Sequence, residues 1–156
     1  MQVESALLTA CGGFLLAVLW MDLMFDVQVL RHRRQGVELP EAVLASIAAY
    51  YGRVTSAARP MSHLVAAAMA TLVITLLVQL ALGHGPSWLA GVSLLLSGGP
   101  ILLAMLRVVP NAVRLGARTD SPLRQSELAR AICSEHLLCF SGILGFLVLR
   151  LWASAR

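Results

Sequence analysis

Residues 61–82 read MSHLVAAAMATLVITLLVQLAL. This run contains no Asp, Glu, Lys or Arg. The hydrocarbon core of a bilayer takes about 20 apolar residues of helix to cross. A spanning segment must satisfy its own backbone polar groups, so the run predicts a transmembrane helix rather than a strand. Three further stretches read the same way: about Ser5–Leu30, Ser87–Val109 and about Ala131–Ala153. The short Gly83-His84-Gly85-Pro86 turn separates the second span from the third. Within the third, Ser97-Gly98-Gly99-Pro100 predicts a kink or break, because proline removes a donor and clashes one turn back.

Composition agrees. Of 156 residues, 58% are hydrophobic and 13% charged, with mean hydropathy +0.80. Soluble domains average about 25% charged. A soluble enzyme, a disordered tail and a nucleic-acid binder are therefore excluded. The fold class expected is all-α, a polytopic membrane protein built as one four-transmembrane-helix bundle over residues 1–156. Cys11, Cys133 and Cys139 form neither a CxxC nor an even disulfide framework. They sit in apolar helical stretches, where a free Cys behaves as a small hydrophobe.

The twelve basic residues are all arginine. Arg31, Arg33, Arg34, Arg53 and Arg59 lie between spans one and two, and Arg107, Arg114, Arg118, Arg124 and Arg130 lie at or between the ends of spans three and four. Arg150 and Arg156 lie on the other side. The positive-inside rule then puts both long loops in the cytoplasm and both termini outside, as in a bacterial-type plasma membrane. Trp88 and Trp152 fall at the outer interface; Trp20 does not fit a belt. Glu4 stands where a signal peptide would carry basic residues, so the first span reads as a retained helix.

Between spans one and two, Glu41 to Arg59 places Leu44, Ile47, Tyr51, Val54 and Ala58 at helical spacing. This predicts an amphipathic helix on the cytoplasmic membrane surface. Pro40 suits its first turn. Ser121-Pro122 reads as an N-cap and first helical position, so the fourth helix should begin well inside the cytoplasm.

The chemistry-bearing residues converge in depth. Counted from the outer end of each span at about 1.5 Å per residue, Asp22, His63, Arg107 and His136 all lie about 26–29 Å down. One polar group per helix thus reaches a common inner-leaflet level. Asp22 and Asp26 are four apart and share a helix face. Arg107, Asn111 and Arg114 share another, and Glu135 adjoins His136. Polar groups at such depth are costly and usually face a bundle interior or cavity. We assign Asp22, Glu135 and His136 as candidate catalytic groups: a desolvated carboxylate moves protons, and imidazole titrates near neutrality. Arg107, Asn111, Asp26 and His63 are candidate substrate-binding groups, the first two holding a phenolate or enolate oxygen. Cys133, His136 and Cys139 spread too widely around the helix for a metal set, and no metal ligands are assigned.

The run Val109-Pro110-Asn111-Ala112-Val113-Arg114-Leu115, then Leu128-Ala129-Arg130, then His136, resembles the carboxy-terminal half of small four-span proteins of the anthrone-oxygenase-like family. Those proteins similarly carry a Pro-Asn motif after span three and an Arg…His pattern entering span four. The resemblance implies a cofactor-poor oxygenase acting on polyketide anthrones, although most members have no assigned activity. The chain departs from the pattern in lacking a tryptophan before His136 and an arginine shortly after it.

Together these residues point to an oxidoreductase or oxygenase-like enzyme on a lipophilic substrate, with the lipid bilayer as its surroundings. Two alternatives remain. His63 and His136 could ligate a b-type haem between helices. A non-catalytic role in a larger membrane complex or homo-oligomer is the other. The inner arginines favour anionic headgroups, and the small-residue patches Gly12-Gly13, Ala66–Ala68 and Gly142…Gly145 favour close helix contact.

Overall fold

The computed structural model describes residues 2–32, 36–57 and 59–155. Among these there is no strand. Four helices are long and apolar enough to cross a membrane. The first, α1 (Gln2–Asp26), ends in a 3-10 turn, Val27–Arg31. A shorter helix, α2 (Glu41–Gly52), runs into a π-helical turn, Arg53–Ala57. The second long helix is α3 (Arg59–Leu82). The third is α4 (Ser87–Leu103), continued through a π-helical turn, Ala104–Val108, into α5 (Val109–Ala117). The fourth, α6, runs from Pro122 to Ser154. Its N-terminus has the expected cap: Ser121 Oγ accepts the Arg124 amide at 3.4 Å, and Pro122 takes the first helical position.

Two local expectations are corrected. Of the kink or break expected at Pro100, the break is absent, since the third helix stays α-helical to Leu103. The disturbance appears one turn later, as the π turn at Ala104–Val108. The second correction concerns α2, whose α-helical part ends at Gly52 and continues as the π turn to Ala57. Its apolar face is spent on protein rather than on a lipid surface. Leu44, Ile47 and Tyr51 are buried in one core with Leu115 of α5 and Ala129 and Ile132 of α6. Val54 packs partly against that core, and Ala58 lies outside the described residues. Arg33, Arg34 and Arg156 also lie outside them.

A second core fills the other half of the bundle: Leu8 and Leu15 of α1, Leu72 and Leu76 of α3, and Ile143 and Phe146 of α6. Outward faces stay apolar, with Trp20, Leu95, Leu106 and Leu138 all exposed.

Two glycines set the helix spacings that matter for the site. A Cβ on Gly142 would lie 2.5 Å from Pro100 Cγ and 2.8 Å from the Leu96 carbonyl oxygen, so α4 and α6 touch backbone to backbone there. A Cβ on Gly116 would lie 2.7 Å from the Gly52 nitrogen, so α5 crosses the end of α2 equally closely. The segment before α2 is stapled to α6. The Leu39 amide donates to Ser126 Oγ at 2.9 Å. The Arg130 guanidinium donates to the carbonyls of His32 at 3.2 Å and Val37 at 2.8 Å. These contacts fix α2 against α1 and α6, where its tyrosines become part of the site.

Candidate functional site

Asp22 and Asp26 end α1 on one face, as their four-residue spacing requires. Both meet side chains from other helices. Asp26 is 0% exposed and accepts two hydrogen bonds. Tyr51 Oη donates to its Oδ1 at 2.7 Å, and His136 Nδ1 donates to its Oδ2 at 2.6 Å. A carboxylate can only accept, so this contact places the imidazole proton on Nδ1. Nε2 is then the free nitrogen, and it faces Asp22 Oδ2 at 3.8 Å. Asp22 in turn accepts from Tyr50 Oη at 2.6 Å. The Tyr50 ring stacks on Phe25 with centroids 4.1 Å apart. Two carboxylates, an imidazole and two phenols thus form one network spanning α1, α2 and α6.

The network borders an apolar pocket of about 130 Å³. Asp22 and His136 contribute its polar groups, together with the Cys139 thiol, which donates to the Pro100 carbonyl at 3.5 Å. Leu15, Val65, Met69 and Ile101 are among its walls. The π turn supplies Ala104 and Val108 to the same lining. π turns are frequent at functional sites because they re-aim side chains within a continuous helix.

The other predicted residues go elsewhere. Glu135 adjoins His136, but neighbours on a helix point about 100° apart. Its carboxylate meets Arg107 instead, with Nε 2.8 Å from Oε1. That contact is an ion pair by distance only: neither Glu135 oxygen has a hydrogen-bond donor in line. Arg107 and Asn111 line a separate groove of about 250 Å³ with Arg124 and Glu127. They are not beside Asp22 and His136, which corrects the expectation of a single polar layer. Arg114 pairs with Asp120 at 2.8 Å. His63 is exposed at the start of α3 and takes no part in the network. Cys133 is buried in the inner core, away from the pocket that Cys139 lines.

Tyr50 and Tyr51 are members of the network that the depth count missed. A signal existed: a buried tyrosine hydroxyl needs a hydrogen-bond partner. Adjacent tyrosines on a helix next to a carboxylate pair supply and demand the same bonds.

The chain matches no protein-family profile, and no curated protein or solved structure matches it significantly. The site must therefore be read from its own chemistry.

Both phenols are held well above the ordinary tyrosine range. Burial is the main cause for each; for Tyr50 the hydrogen bond to Asp22 adds to it, and for Tyr51 the charge of Asp26. The folded pKa exceeds the unfolded one, so the resulting stability is complete below about pH 10 and is lost as pH rises beyond it. These are the only two tyrosines, and the chain has no lysine to titrate alongside them. An absorbance titration at the tyrosinate band should therefore stay flat past the normal range and then rise in one step with unfolding. A gradual rise centred near pH 10 in folded protein would show the network is not formed.

Proposed function

We propose that the chain is an integral membrane protein of a bacterial-type plasma membrane, with both termini outside and α2 on the cytoplasmic side. In this reading it is an enzyme that exchanges a proton with a lipophilic substrate at the inner leaflet. The observation that carries the proposal is the Asp26–His136 pair, with the free Nε2 directed at Asp22 beside an apolar pocket.

Asp26 orients the imidazole and stabilises its cationic form. Nε2 takes a proton from an acidic C–H or O–H of the substrate, the role of a positioned general base. Asp22, shielded by Tyr50, holds the charge balance of the resulting imidazolium. Apolar walls keep water away and strengthen each of these interactions. The family resemblance suggests an anthrone-type carbon acid. Its deprotonated form is electron-rich, and dioxygen is the oxidant: the methylene plus O₂ gives a ketone plus water. Arg107 and Asn111 line a separate groove and Glu135 is paired with Arg107, so none of the three takes part in this step.

The test is oxygen uptake by purified protein with an anthrone as substrate. His136→Gln should lower the rate by about 100-fold or more, the usual worth of a general base, and Asp22→Asn should lower it as well by removing the charge balance of the imidazolium. Elution as a folded species on gel filtration would separate lost chemistry from lost fold. Wild-type rates in both variants would rule out the catalytic assignment.

A second reading is a non-catalytic subunit of a larger membrane assembly. Gly13, Gly91 and Gly99 favour it, since nothing lies within 4 Å of where their side chains would be. Such open faces allow another helix to approach closely. Co-purification of a stoichiometric partner, with no oxygen uptake, would select it.

A further inference from the structure

The opposite end of the bundle holds a second polar pocket, independent of the Asp26–His136 site. Arg150 lies near the end of α6 and is only 8% exposed. No hydrogen bond or ion pair reaches its guanidinium among the described residues. A guanidinium has five donors and cannot shed its charge; here the Glu4 charge acts on it across the pocket, but no described acceptor lies within hydrogen-bond distance. Arg150 lines a pocket of about 150 Å³. At about 30 Å³ per water, that is room for a group of several heavy atoms.

The rest of the lining suits an anion. The N-terminus of α4 opens onto the pocket through Pro86, Leu89 and Ala90. Pro86 caps α4 without a side-chain hydrogen bond. The Leu89 and Ala90 amides turn back to the Pro86 carbonyl, while the Ser87 and Trp88 amides have no backbone acceptor. Free amides and the helix dipole make such an end favourable to negative charge. Glu4 also lines the pocket, but its carboxylate is engaged by His84 Nδ1 at 3.1 Å and by the Gln79 amide at 3.4 Å.

We propose that this pocket binds a phosphate group, seated on Arg150 and the α4 N-terminus. Arg's planar fork matches phosphate bidentately. The source is either a phospholipid headgroup of the adjoining leaflet or free phosphate.

The test uses the full chain in detergent, stripped of lipid by extensive exchange. Inorganic phosphate and a short-chain phosphatidylethanolamine are titrated separately, and the thermal midpoint is followed. At least one should raise it. A shift with inorganic phosphate assigns a free-anion site, and a shift with the lipid alone assigns a headgroup site. Arg150→Gln should weaken the effective probe at least about tenfold, as expected for losing hydrogen bonds to a charged group. Should that variant not fold, Arg150→Lys retains the charge but not the fork and should also weaken binding. No shift with either probe on the wild-type protein would overturn the proposal, as would unchanged affinity in the Arg150 variant that folds.

Discussion

Asp26→Ala should be the most destabilising single side-chain truncation in the protein. It removes a fully buried carboxylate that accepts from both Tyr51 and His136. Breaking a buried charged pair by deleting one member costs about 3–5 kcal/mol, because the surviving partner stays buried and unpaired. Here two partners are stranded, a phenol and an imidazole. The loss should appear in a detergent-solubilised denaturation series. The double variant Asp26→Ala/His136→Ala should cost clearly less than the two single costs combined, since each single change already destroys the same bond. Simple additivity, or a cost below about 1 kcal/mol for Asp26→Ala, would mean that the network contributes little to the fold.

Gly142→Ala should be nearly as damaging, by a different route. The new methyl would meet Pro100 Cγ and the Leu96 carbonyl oxygen at distances that real contacts do not adopt. One obstacle is a rigid ring and the other is backbone, so neither can rotate away. α4 and α6 must separate, at a cost of about 1–3 kcal/mol for overpacking. The displacement would also reach the pocket, because Pro100 and Ile101 lie on one side of it and His136 and Cys139 on the other. Gly145→Ala, one turn along α6, is the control. Its Cβ would sit 3.7 Å from a Leu96 methyl, an ordinary contact, and the substitution should be neutral or slightly stabilising. Equal behaviour of the two variants would contradict the close α4–α6 approach.

The bundle was legible in the sequence because apolar length is a one-dimensional signal. The span at 61–82 and the three like it correspond to the four long helices. The site was legible only in part. Asp22, Asp26 and His136 were found because depth along a helix and a four-residue spacing can both be counted. His63 shows the limit of that count: it has the right depth, but depth says nothing of direction around the axis, and it points outward. Glu135 meets Arg107 rather than the Asp22–His136 network for the same reason, being one residue and about 100° from His136. Arg107 sits in the π turn, whose extra residue rotates the downstream side chains relative to a regular helix. Tyr50 and Tyr51 were invisible to any count confined to the spans, because they come from α2. Their role depends on a tertiary contact, the Gly52–Gly116 crossing, that no local pattern encodes.

The separation of 110 residues between Asp26 and His136 has a consequence for biogenesis. At about 5–20 residues per second of synthesis, α1 emerges about 5–20 s before α6 exists. During that interval its two carboxylates have no imidazole to meet. In the membrane reading, α1 must enter the bilayer with both acids at the cytoplasmic edge, wetted or protonated, until the last helix arrives. A ribosome stalled before residue 136 would therefore leave the first helix shallow and open to extraction, and completion of the chain would lock it in place.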